Sequence, residues 1–156
     1  MRDSITQAVK DAMKSGDKLR LSTLRLIQAT IKDRDIAARV DAKGQSSGRD
    51  RIDEAELLGL LQKMIKQRRE SAETYATAGR TELAEKETAE IAVIEEFMPQ
   101  QLSEAETEKA VSDIISEIGA AGLKDMGRTM GVLKERYAGQ LDFAKASALV
   151  KAKLSG

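Results

Sequence analysis

The sequence predicts an all-α protein in two bodies: an N-terminal helical domain of about four helices over residues 1–98, and a C-terminal three-helix domain over residues 99–156. Three observations carry this reading. Only 3% of the 156 residues are aromatic and 33% are charged, so the cores must be built from Leu, Ile, Val, Met and Ala, which suits helix bundles better than sheets. Apolar residues recur at three- and four-residue steps along almost the whole chain. The single proline lies in Met98-Pro99-Gln100-Gln101-Leu102-Ser103, between two helical patterns of different character. Proline has no N–H to donate and pushes the residue before it out of helical geometry, so the preceding helix should end by Phe97 or Met98.

Each element has its own signal. Ile5, Ala8, Val9, Ala12 and Met13 predict a first short helix that stops at Ser15-Gly16. Asp17 can cap a second, carried by Leu21, Leu24, Ile27 and Ile31 to about Ala38. Asp41 to Arg51 has no periodicity and reads as a mobile loop. Asp53-Glu-Ala-Glu56 resembles a capping box and opens a long third helix with Leu57, Leu60, Leu61, Met64, Ile65, Ala72 and Tyr75 on one stripe, ending near Gly79. Thr81 is the expected cap of a fourth helix, in which Leu83, Ile94 and Phe97 lie together. Beyond the proline, Ser103-Glu-Ala-Glu106 is a second capping box. Ala110, Val111, Ile114, Ile115 and Ile118 then form a fifth helix terminated by Gly119. A sixth spans about Asp125 to Tyr137, and Asp142 can cap a seventh that reaches Leu154.

Composition narrows the chemistry. Lys plus Arg equals Asp plus Glu at 26 each, so the whole chain lacks the basic excess of a typical nucleic-acid binder, and local asymmetry becomes the relevant quantity. With no cysteine and no histidine there is no disulfide framework, thiol nucleophile, Ser-His pair or imidazole metal ligand; no metal and no cofactor is expected. The N-terminal residues lack the apolar run of a signal peptide, and no stretch approaches about 18 apolar residues, so a cytoplasmic protein without a membrane partner is the expectation.

Two groups of residues depart from their surroundings. At about 100° per residue, Arg68 falls inside the apolar stripe of the third helix, while Glu87 and Glu90 fall inside that of the fourth. Facing helices would bring these opposite charges together, either as an interhelical ion pair that fixes register or as a polar site of two acids and an arginine. Lys63, Lys66 and Arg69 occupy the opposite face of the third helix with Glu70 and Glu73 nearby, a mixed surface that reads as a solvated face, or, where it contacts anything, as a phosphate-binding one. The second group lies in the tail. The fifth helix holds Glu104, Glu106, Glu108, Asp113 and Glu117 against Lys109 alone, whereas Lys124, Arg128, Lys134, Arg136, Lys145, Lys151 and Lys153 dominate the last two helices. Lys124 and Arg128 lie opposite the Met126, Met130, Leu133, Tyr137 stripe, with Gly127 and Gly131 beside them. Each helical glycine costs about 1 kcal/mol relative to alanine. Close packing by another helix would offset that cost, and so would close approach of a nucleic-acid backbone to a bare surface flanked by cations. Lys151 and Lys153 are possible outer contacts. Aromatics for base stacking are scarce, so binding would read shape and phosphate.

Several stretches together resemble the GatB/YqeY family, free-standing relatives of the C-terminal domain of the B subunit of glutamine-dependent aminoacyl-tRNA amidotransferase. They are Lys63-Met-Ile-Lys-Gln-Arg-Arg-Glu-Ser71, Ala78-Gly-Arg80, Glu87-Thr-Ala-Glu-Ile91, Phe97-Met-Pro-Gln-Gln-Leu-Ser103 and Lys124-Asp-Met-Gly-Arg-Thr-Met-Gly131. The resemblance implies an N-terminal helical domain joined to a three-helix tail, a tail implicated in holding tRNA, and the class of carbon–nitrogen ligases with glutamine as amido donor. After the sixth helix this chain has Gly139-Gln-Leu-Asp142 where relatives tend to have Gly-Arg-Ala-Asp, one cation fewer. The functions in play are a tRNA-binding or amidotransferase-accessory module, partnered by tRNA and amidotransferase subunits, a helical module that docks another helical protein without RNA, and an amidotransfer enzyme working through the seam around Arg68.

Overall fold

Four of the seven helices open on a side-chain cap. A computed structural model describes residues 1–156 as seven α-helices without a β-sheet. The chain divides into two compact units, Met1–Met98 and Pro99–Gly156.

In the first unit, α1 (Arg2–Ser15) ends on Gly16 at φ 73°, a left-handed position that glycine adopts without strain. The Asp17 side chain accepts a hydrogen bond from the Arg20 amide and opens α2 (Lys18–Ala38). A complete capping box between Asp53 and Glu56 starts α3 (Glu54–Thr77). The fourth helix, α4 (Thr81–Glu95), differs from expectation: Thr81 is already its first helical residue, Arg80 holds the cap position, and no side chain caps the helix. Helix α1 packs on α2, α2 on α4, and α3 runs against α4. Ile5, Leu24, Ile27, Leu57, Leu61 and Ile94 form the fully buried centre.

The segment expected to be a mobile loop is organised by its own polar groups. Asp41 accepts from the amides of Lys43 and Gln45, Val40 and Ser46 form an antiparallel bridge, and the Ser47 hydroxyl donates to the Ala38 carbonyl. Side chains that bond their own backbone replace the missing apolar periodicity. Its far end is held by a clamp. Arg2 donates from both terminal nitrogens to Asp35 at 2.8 and 2.9 Å and to the Ile52 carbonyl at 3.1 Å, while Asp35 accepts from the Ile52 amide at 2.9 Å. The Arg2 hydrogen bond holds the Asp35 carboxyl below the usual carboxylate range against the opposing effect of burial. The same bond raises the Arg2 guanidinium.

In the second unit, a capping box between Ser103 and Glu106 starts α5 (Glu104–Ile118), which stops on left-handed Gly119. A 3₁₀ turn over Leu123–Asp125 leads into α6 (Met126–Arg136), and Asp142 caps α7 (Phe143–Ser155). The three helices pack pairwise around Val111, Ile114, Leu133, Leu141, Ala146 and Val150. Leu141, in the turn between α6 and α7, is a core residue. Gln101 donates to the Gly139 carbonyl and the Leu102 amide to that of Gln140, tying the segment after Pro99 to the α6–α7 turn. A domain of about 60 residues buries only about 60% of its unfolded surface. Residues 99–156 expressed alone should therefore melt cooperatively but at a low midpoint; a scan without a cooperative transition would mean that this unit does not fold independently.

Candidate nucleic-acid interface

Helix α6 carries two positions without side chains on one face. Gly127 and Gly131 are both exposed, and a methyl group at either Cα would meet no heavy atom within 4 Å. Neither has a positive φ, so the backbone conformation does not require glycine. The helix cost of these glycines is therefore not offset by packing within the chain.

Around them the structure sorts the cations. Lys124, in the 3₁₀ turn, is exposed and has no acidic partner within 4 Å, and neither has exposed Lys151 on α7. Arg128 is exposed but sits 3.3 Å from Asp125, and Lys153 is 3.6 Å from Glu108 on α5. Asp125 also accepts from the Ala121 amide at 2.9 Å; this bond, aided by the charges of Arg128 and Lys124, holds its carboxyl below the ordinary range. Arg136 is gripped bidentately by Glu117, which lowers the glutamate and raises the guanidinium. The charge segregation read along the sequence is thus partly cancelled in space, because α5 lends its acids to α6 and α7. One contributor has no polar signal in the sequence: Leu123, 51% exposed, stands next to Lys124 at the start of the glycine face.

In the first unit the polar seam forms in part. Arg68 Nε lies 3.0 Å from Glu90 Oε2, with side chains 12% and 16% exposed, and Arg68 also donates to the Met64 carbonyl at 3.3 Å. Glu87 is half-buried and pairs with no cation. A site of two acids on one arginine is not assembled; the arrangement is a single interhelical ion pair between α3 and α4. Arg69 pairs with Glu95 at 3.1 Å, which leaves Lys63 and Lys66 as the unpaired cations of the outer α3 face. A shallow cleft of about 200 Å3 beside Arg2 and Asp35, lined also by Ile5, Gln28, Ile31 and Lys32, is small for an organic cofactor. No grouping of three or more acids is placed to hold a metal ion.

A model of the Yqey-like protein family matches residues 2–154. The chain belongs to the YqeY-like family. Similar proteins include three called "Altered inheritance of mitochondria protein 41, mitochondrial". The one from Lachancea thermotolerans is 35% identical over 121 residues, covering 74% of this chain and 60% of the relative. That from Vanderwaltozyma polyspora is 31% identical over 125 residues, covering 76% and 62%, and that from Pyrenophora tritici-repentis 31% over 125, covering 79% and 63%. This YqeY-like chain thus spans about three fifths of the length of these curated relatives. Their names overturn the expectation of a cytoplasmic protein. Mitochondrial targeting segments are amphipathic and basic, so a reading based on apolar runs does not register them. No helix is long and apolar enough to cross a membrane.

Proposed function

We propose that this YqeY-like protein is a tRNA-binding accessory module that holds its RNA along α6, with amidotransferase subunits as the partners this reading implies. One observation carries it: two exposed glycines, covered by nothing in the chain, beside the unpaired cation Lys124. A bare helix surface lets a sugar-phosphate backbone approach closely, and Lys124 and Arg128 neutralise phosphates there. Lys151 is a candidate outer contact, and Lys153 a weaker one because Glu108 already attends it. The family's ligase class describes the reaction such a module would serve. On this reading the chain positions tRNA and leaves bond-making to the partner.

Gel shifts with unfractionated tRNA across a salt series test the proposal. Affinity should fall as salt rises, and Lys124→Glu with Arg128→Glu should weaken binding to all tRNAs alike while reducing the salt slope by about one unit per lost phosphate contact. Gly127→Ala and Gly131→Ala separate binding from folding. Each should stabilise the fold by about 1 kcal/mol, since the added methyl meets nothing, yet weaken tRNA binding by blocking close approach. Binding that ignores both salt and these four substitutions, or no binding at all, would return the surface to the competing reading of a helix-docking module without RNA.

A further inference from the structure

We propose that the distal half of the α3–α4 hairpin is a docking site for a basic amphipathic helix of a partner protein. This goes beyond tRNA binding and rests on a different unit of the chain.

The buried residues of α3 end at Ile65 and those of α4 begin at Ile91. Between them, from Lys66 to Glu90, no residue is buried. Helical phase nevertheless places Ala72 and Tyr75 of α3, and Leu83 and Ala84 of α4, on the stripes through which the two helices face each other; all four stay half-exposed. Two helices alone cannot enclose such a stripe, and the other helices of this unit place their buried residues nearer its base. A third helix laid along the hairpin would complete the layer.

Charge selects the occupant. Residues 70–90 carry Glu70, Glu73, Glu82, Glu85, Glu87 and Glu90 against only Arg80 and Lys86. Glu90 is satisfied by Arg68, whereas Glu87, half-buried in the same seam, has no cation. An incoming helix that set a lysine or arginine against Glu87 and apolar side chains against Tyr75 and Leu83 would answer both features. RNA is disfavoured, because phosphates meet like charge here. A second copy is disfavoured too: the basic helices α6 and α7 already commit Leu133, Ala146, Val150 and Leu154 to their own core.

The test is site-specific crosslinking in the source cell. The photo-reactive residue p-benzoylphenylalanine replaces Tyr75 in the full chain, with the same residue at exposed Lys10 on α1 as control, and the crosslinked peptide is sequenced by mass spectrometry. The expected product is one protein segment patterned as an amphipathic helix rich in lysine or arginine. Glu87→Lys should lower its yield at least tenfold, and reversing the partner's basic residue should restore it. Should Glu87→Lys unfold the hairpin, as read by circular dichroism, Glu87→Gln carries the test and should still lower the yield severalfold. tRNA affinity, measured in parallel, should be the same in both variants, so the failure of one reading is separable from that of the other. Crosslinking to RNA, to a second copy, to an acidic or non-helical segment, or only at the control level would overturn the proposal. So would a yield indifferent to Glu87.

Discussion

Asp35→Ala should destabilise the first unit by about 3 kcal/mol, a large effect for a residue at the margin of the core. Asp35 accepts three hydrogen bonds, two from Arg2 and one from the Ile52 amide, and the pair is largely covered, with 27% and 16% of the side chains exposed. Hydrogen bonds to a charged group contribute roughly 1.5 to 3 kcal/mol each, and deletion also leaves a guanidinium and an amide without their acceptor. Arg2→Lys should recover little, because a point charge cannot reproduce the two parallel bonds. The pH dependence has a definite sign. Asp35 is lowered in the folded state, so its contribution is fully present above the unfolded value of about 3.9 and is lost as pH falls through the folded one. Urea titrations of wild type and Asp35→Asn between pH 6 and 2 should therefore show a stability difference that closes toward the acidic end. A constant difference would assign the effect to packing.

The clamp also shows what the sequence could and could not reveal. Helix starts were legible at Asp17, Asp53, Ser103 and Asp142 because the chemistry is local: an acceptor side chain and an amide two or three residues on. Arg68 and Glu90 were legible because each interrupts an apolar stripe, and helical phase brings such interruptions face to face. Arg2 and Asp35 carry no comparable mark; each sits where a helix ordinarily meets water, and only the packing of α1 on α2 brings them together. The stretch at 40–52 reads as a loop and is one; its side chain to backbone bonds were not legible, since they leave no periodic trace. In the second unit, helical phase placed Lys124, Arg128 and the two glycines on one surface. It could not show that Glu108 and Glu117 of α5 reach Lys153 and Arg136, because that depends on how the helices pack.

Arg68→Ala should cost about 3 kcal/mol, and where that loss is felt matters as much as its size. The substitution strands Glu90, whose side chain is only 16% exposed, without the guanidinium that compensates it; removing one partner of a fully buried pair costs roughly 3 to 5 kcal/mol, and this pair is partly covered. The low end applies because the buried residues of α4 begin only at Ile91, and water can partly reach the orphaned carboxylate. Replacing both partners together, Arg68→Met with Glu90→Leu, should restore most of the stability, since a packed apolar pair avoids the desolvation that the ion pair must overcome. A double-mutant cycle by urea unfolding reads the coupling directly, and a single-mutant cost below about 1 kcal/mol would class the contact as an ordinary surface pair. Hydrogen exchange should localise the effect. Residues 69 to 89 lie on the side of the pair where nothing is buried, so in Arg68→Ala their amides should exchange faster through opening of the distal hairpin alone, while those of Leu57 and Leu61 follow global unfolding. Equal acceleration throughout the unit would mean that the hairpin and the helices at its base open as one, and that Arg68 holds the register of the whole unit.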